Sequence, residues 1–208
     1  MNTFTTRLSA ISGAYFVVAA FAGSAGPDRT ELGLLVVLSG LVALVAFLAF
    51  LHRQLSQLDG VRSGWLAMTT SCGLIFLAMQ ASELGYFGVV FQASATGPSA
   101  DLLADLTEGT FVASTIFFGL FLLSTAASAH AQRVLPAWLI WPGVAVGAVT
   151  AMAGAVGVLS LDSYLPIPYV AGLVWIGVVS ILLAVRASRP SRGASEDVPA
   201  RADAVGRA

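Results

Sequence analysis

The sequence predicts an all-α, polytopic membrane bundle of six transmembrane helices, and three observations carry that expectation. First, 57% of the 208 residues are hydrophobic and 10% are charged, with a mean hydropathy of +0.87. A soluble domain is about 45–50% apolar and about 25% charged. Second, the apolar residues gather into six long runs without the strict alternation of a membrane barrel strand. Third, the arginines fall almost wholly on one set of alternate connections. Together these exclude a free soluble enzyme, a disordered regulator and a basic nucleic-acid binder.

A helix crosses about 30 Å of hydrocarbon with about 20 residues, and the bilayer obliges its backbone to satisfy itself. The six runs are 4–23, 32–51, 65–91, 107–129, 136–160 and 168–187. The first opens with Arg7 and ends on Ala22, Gly23, Ser24 and Ala25, which also suits a cleaved signal peptide. The turn-forming Gly26, Pro27, Asp28 and Arg29 favour a short loop to the second run instead. The second run exits through His52 and Arg53, and the third carries Glu83 within it. The fourth follows the acids Asp101, Asp105 and Glu108, where Asp105 and Glu108 have capping-box spacing. A calcium loop on those acids lacks the ligand spacing of a hand-type site. The fifth opens at Pro136, and Gly143, Gly147, Ala151 and Ala155 recur every four residues, with Gly154 and Gly157 as a second small face. Small residues let helices approach closely, so this helix is expected to be central or to lie at a dimer seam. The sixth follows Pro166 and Pro168. Residues 1–187 thus form the transmembrane domain, and 188–208, without apolar periodicity, form a disordered cytoplasmic tail.

Orientation follows from arginine placement. With the N-terminus inside, Arg7, Arg53, Arg62, Arg133, Arg186, Arg189, Arg192, Arg201 and Arg207 are cytoplasmic and Arg29 alone is outside. Both termini are therefore expected in the cytoplasm. The absence of lysine, with abundant alanine and glycine, points to GC-rich coding and so to a bacterial plasma membrane. Trp65, Trp138 and Trp141 are expected in an inner interfacial belt, and Tyr86, Tyr164 and Tyr169 in an outer one. Asp28, Glu31, Asp101, Asp105, Glu108 and Asp162 collect on the outer side.

Few residues carry chemistry. A charged residue within a span costs about 2.5–3.5 kcal/mol on insertion scales, so Glu83 is a functional candidate by default. Helical spacing places Gln80 and Thr69 on its face as a polar stripe. Such an acid can donate a proton, titrate in step with transport, or simply bond a neighbouring helix. Thr107, Thr110, Ser114, Thr125 and Ser128 give the fourth helix a broad hydroxyl face, suited to packing or to a water-lined path beside Glu83. His52 and His130 end two helices on the inner side, favoured there by the helix dipole; a heme or metal role is the alternative. Cys72 alone supports neither a disulfide nor a cysteine metal site. No catalytic, cofactor-binding or metal-binding set emerges, and no phosphate or dinucleotide fingerprint.

Three stretches resemble a widespread bacterial family of six-helix integral membrane proteins catalogued as a domain of unknown function. They are residues 7–16 with Arg7, Gly13, Tyr15 and Phe16; 50–55 with His52 and Arg53; and 134–139 with Leu135 and Pro136, continuing through Gly143 and Gly147. Glu83 is similar to a polar or acidic residue of that family's third helix. The chain departs from the pattern at 126–132, where an aromatic and hydroxyl-rich exit is expected. The resemblance covers about residues 7–187 and implies fold and topology, with no catalytic residues to carry over.

The leading functional expectation is a non-enzymatic integral membrane protein, an assembly or regulatory partner, with the bilayer and a homo-oligomer or membrane partner on helix five as its contacts and no nucleic acid. The alternatives are a small-solute or proton-coupled transporter using the stripe on helices three and four, and a membrane enzyme with Glu83 as general acid on a lipid or isoprenoid substrate.

Overall fold

The computed structural model describes residues 3–24, 31–56, 63–93 and 98–187. Six helices run α1 Thr3–Ser24, α2 Glu31–Ser56, α3 Ser63–Ala93, α4 Pro98–Ala131, α5 Ala137–Leu159 and α6 Ile167–Arg186, with a 3-10 turn at Leu161–Ser163 before α6. No strand occurs among the described residues. All six helices are long and apolar enough to cross a membrane. The loop at Asp28 and Arg29, Arg62, and the tail with Arg189, Arg192, Arg201 and Arg207 lie outside the described residues.

The largest departure from expectation is α4. It has 34 residues, about 51 Å at 1.5 Å per residue, and begins at Pro98 rather than near 107. Proline suits the first helical position, and Asp101 in the first turn complements the helix dipole. The acids look like loop by polarity, yet acids near a helix start favour the helix. Asp105 and Glu108 therefore stand inside α4 and cap nothing. Asp101, Asp105 and Glu108 recur at helical spacing along an exposed face.

Consecutive helices pack antiparallel. Gly13 lies under the Phe47 ring, Leu48 packs over Gly73, and Phe76 faces Phe118. Between α4 and α5 the backbones touch: a Cβ on Gly119 would meet Ala151 N at 2.3 Å, and one on Gly147 would meet Leu123 N at 2.7 Å. Gly154 continues this seam against Thr115 and Ile116, and Gly157 against Val112 and Tyr164. Gly143 forms a shelf for Trp175, whose Nε1 donates to the Leu139 carbonyl at 2.9 Å. The buried face of α5 thus runs through Gly143, Gly147, Thr150, Gly154 and Gly157. Ala151 is half-buried and Ala155 is exposed, because a strict four-residue step drifts around a helix of 3.6 residues per turn. The most buried helix, and so the centre of the bundle, is α4 rather than α5.

Two hydroxyls fasten α6. Thr150 Oγ1 donates to Val146 O at 2.7 Å and lies 3.0 Å from Pro168 O. Ser180 enters a rung of α1, accepting from the Ala14 amide at 2.9 Å and donating to the Ala10 carbonyl. At the opposite corner, α4 closes in a Schellman arrangement: Val134 N donates to Ala129 O at 3.0 Å and Arg133 N to His130 O at 3.1 Å. Arg133 occupies the left-handed position, at φ 56°. Gln132 Nε2 donates to the last turn of α2 at Leu55 O, 2.9 Å away, and Arg186 donates to Val134 O.

The up-and-down order gathers Arg7, Arg53, Arg133 and Arg186 at one end, and Asp101, Asp105, Glu108 and Asp162 at the other. The outside is apolar: Val18, Leu32, Val42, Met152 and Leu159 are all exposed. Ser114, Thr115, Ser124, Thr150 and Ser180 are buried instead.

Candidate functional site

At the acidic end the helices separate around a cavity of about 490 Å³. Its wall comes from the end of α1 (Ala20, Phe21, Gly23), the start of α2 (Leu34, Val37), α3 (Gln80, Glu83, Leu84), α4 (Ala104, Thr107, Glu108, Phe111) and α6 (Tyr169, Val170, Leu173). Small-molecule sites fall at about 300–1,000 Å³, mostly apolar with a few placed polar groups. This wall fits that description.

The polar groups are organised around Gln80. Its Nε2 donates to Glu83 Oε2 at 3.1 Å and to Ser114 Oγ at 3.0 Å. Glu83 and Gln80 lie one turn apart on α3, so the amide fixes the carboxyl and ties α3 to α4. Ser114 Oγ donates in turn to Phe111 O at 2.7 Å, and Thr107 Oγ1 to Leu103 O at 2.7 Å. Glu108 is exposed on the cavity wall.

One turn inward, rings close the floor. Phe76 and Phe118 lie 4.8 Å apart, Phe118 and Tyr169 5.1 Å, and Phe111 and Tyr169 5.2 Å at 78°. Phe16 meets Phe76 edge-on from α1. Tyr164, between the 3-10 turn and α6, packs edge-on to Phe111. Burial pushes the Tyr164 phenol above its ordinary range, while the nearby Thr115 hydroxyl pulls the other way. The Tyr164 hydroxyl reaches toward Thr115 without closing a hydrogen bond of ordinary geometry.

The polar stripe read along α3 is therefore divided. Gln80 and Glu83 reach the cavity. Thr69 lies beyond Phe76, 2% exposed, donating to its own helix at Trp65 O. The antiparallel register set by Gln80–Ser114 and Phe76–Phe118 puts Thr69 level with Thr125. The buried Thr125 and Ser128 hydroxyls find no hydrogen-bond partner among the described residues. A buried polar group without a partner is uncommon, and here two occur on the far side of the ring floor.

Tyr169 is the site residue that sequence reasoning missed. It is not part of an exposed belt; it lies against Phe111 and Phe118. The signal was its spacing to Leu173, Ile176, Ser180 and Leu183, a single helical face that the structure buries. Trp138 and Trp141 are exposed at the basic end. His52 Nδ1 pairs with Thr70 Oγ1 at 3.0 Å, and His130 lies against Trp141. Among the described residues no three metal-ligating side chains gather. The fold and cavity define a six-helix, membrane-compatible bundle with an acid-lined pocket near its acidic end. No protein-family model, curated protein or solved structure matches the chain.

Proposed function

We propose that the chain is a multi-pass protein of a bacterial plasma membrane, with both termini cytoplasmic, and that it carries a small solute loaded at the Glu83 cavity. The cavity with its oriented carboxyl is the observation that carries this reading. An apolar exterior around buried hydroxyls supports the bilayer as solvent. The described arginines stand at one end and the acids at the other, which supports a cytoplasmic basic end. The short resemblances to a six-helix bacterial family agree with this topology.

The division of the polar stripe supports a carrier over an open channel. Gln80, Glu83 and Ser114 lie on one side of the Phe76–Phe118 floor, and Thr69, Thr125 and Ser128 on the other. A solute loaded above would reach the lower group when the rings part. An assembly or regulatory partner seated on the glycine face of α5 gains no support, because α4 and α6 already occupy that face.

Cysteine accessibility tests the reading without knowledge of the solute. In a Cys72→Ala background, Thr107→Cys and Thr125→Cys are reconstituted in sealed vesicles and treated with a membrane-impermeant thiol reagent. Thr107→Cys should react from the outer face and Thr125→Cys from the cytoplasmic face. A Thr125→Cys that is inert from both faces would make the cavity a closed pocket and overturn the carrier reading.

A further inference from the structure

We infer that the groove where α4 turns into α5 seats the phosphate of an anionic phospholipid. It lies at the opposite end of the bundle from the Glu83 cavity, and it holds whether or not that cavity carries a solute. The groove encloses about 460 Å³ and is lined by His130, Ala131, Arg133, Leu135, Ala137 and Ile140. Its two polar side chains are hydrogen-bond donors. A guanidinium presents five N–H groups in a planar fork that matches a pair of phosphate oxygens. An imidazole presents a ring N–H in either neutral tautomer. Among the described residues, neither the Arg133 guanidinium nor the His130 ring is hydrogen-bonded or ion-paired. Arg133 is held through its backbone N–H on His130 O, and the His130 ring lies 6.3 Å from that of Trp141.

The local field favours an anion. Arg186 donates to the carbonyl of Val134, next in the chain to Arg133, and brings a second guanidinium to this corner. Ala137 opens α5 on the groove without a side-chain cap, so the helix dipole adds to the cationic side chains. Among the described residues no acid lines the groove, and Asp101, Asp105, Glu108 and Asp162 stand at the other end. The surroundings select a lipid phosphate over a free one. Trp138 is 64% exposed and Trp141 66%, and such amphipathic rings settle at headgroup depth. Leu135, Ala137 and Ile140 give the groove an apolar side for the first acyl carbons. A basic pocket at that depth is suited to an anionic headgroup. Phosphatidylglycerol has a net negative charge, whereas phosphatidylcholine carries an ammonium that Arg133 would repel.

The test uses the lipid-depleted full chain in dodecyl maltoside micelles, titrated with phosphatidylglycerol or phosphatidylcholine of the same acyl chains. Native mass spectrometry counts the bound copies. The first phosphatidylglycerol should bind at least tenfold more tightly than the first phosphatidylcholine. Arg133→Gly should lower phosphatidylglycerol affinity at least tenfold. Glycine suits φ 56°, so this variant folds at least as well as the parent, and the loss cannot be laid to unfolding. Arg53→Gln, at the same end and outside the groove, should lower the affinity less than threefold. Glycerol 3-phosphate at about 1 mM should leave the bound lipid in place. A smaller lipid preference, a smaller loss in Arg133→Gly, or a loss above threefold in Arg53→Gln would each overturn the inference. Displacement by glycerol 3-phosphate would make this a site for soluble phosphate and would overturn the lipid assignment. Asp59, Glu196, Asp197 and Asp203 lie outside the described residues and give a last arm. Lipid preference that appears only when these four are changed to Asn or Gln would mean that the chain fills the groove with its own acid, and would also overturn it.

Discussion

Replacing Gly119 with alanine should be among the most damaging single-methyl changes available to this chain. The new Cβ would stand 2.3 Å from Ala151 N and 2.6 Å from Gly147 O, whereas ordinary contact begins at 3.4 Å. Both obstacles are backbone, so no side-chain rotation relieves them. The helices must part locally by about 1 Å, and a gap of that size forfeits about a quarter to a half of each dispersion contact it opens. Overpacking costs about 1–3 kcal/mol, and α4–α5 is the most extensive helix pair, so the upper end applies. Alanine returns about 1 kcal/mol of helix propensity. The net expectation is a loss of about 2 kcal/mol. Gly147→Ala, whose Cβ would meet Leu123 N at 2.7 Å, should lose about 1 kcal/mol by the same reasoning. The double variant should cost less than the two together, because one separation accommodates both methyls. Gly109, with nothing within 4 Å of its Cβ position, is the control, and alanine there should stabilise by up to about 1 kcal/mol. Reversible unfolding in mixed micelles, followed by circular dichroism, measures all four. Gly119→Ala and Gly147→Ala as harmless as Gly109→Ala would refute the seam.

Three smaller predictions follow from single residues. Arg133→Gly should stabilise by about 1 kcal/mol, because glycine occupies φ 56° without the side-chain penalty; a lower melting temperature would contradict that account. Ser180→Ala should cost about 1 kcal/mol by removing the hydroxyl that bridges Ala10 O and Ala14 N, a loss kept small because α1 can close its own rung; a neutral melt would show that the bridge adds nothing. Tyr164→Phe should be neutral at pH 7 and more stable than the parent under alkali. A phenol whose folded pKa is raised stabilises the fold below its unfolded value of about 10 and loses that contribution as pH rises through the folded value; identical alkaline melts for the two proteins would refute this.

The sequence made the helices legible because their signal is length and apolarity, both local properties. All six expected runs fall within the observed helices or within a residue of their ends. It made Glu83 and Gln80 legible as one face for the same reason. What it hid depends on partners. Whether Thr69 joins that face or sits behind Phe76 is decided by Phe118 on another helix. Glu108 looked like a cap because only the course of 98–106 shows that α4 has already begun. Tyr169 looked interfacial because a tyrosine near a span end suits water and core alike, and Phe111 and Phe118 decide between them. Ala155 is exposed rather than buried within the bundle for a geometric reason, the drift of a four-residue repeat against 3.6.

The packing also indicates which helix a carrier of this build would move. The α4–α5 seam is backbone against backbone, and Ser180 and Thr150 fasten α6 to α1 and α5, so those four helices resist sliding. The least buried span is α3, and it meets its neighbours through side chains: Phe76 on Phe118, Gln80 on Ser114, Leu48 over Gly73. It carries Glu83, Gln80 and Phe76, so a tilt of α3 alone would change the loading site and the floor together. Ligand chemistry at Glu83 would then reach the rings through one rigid helix. Joining Gln80→Cys to Ser114→Cys with a short bifunctional thiol reagent, in the Cys72→Ala background, should hold α3 against α4. Cytoplasmic labelling of Thr125→Cys, with that thiol masked reversibly during cross-linking, should then fall at least tenfold while the fold survives by circular dichroism. Undiminished labelling after complete cross-linking would mean that the floor opens by some other movement, and α3 would lose its assignment as the moving part.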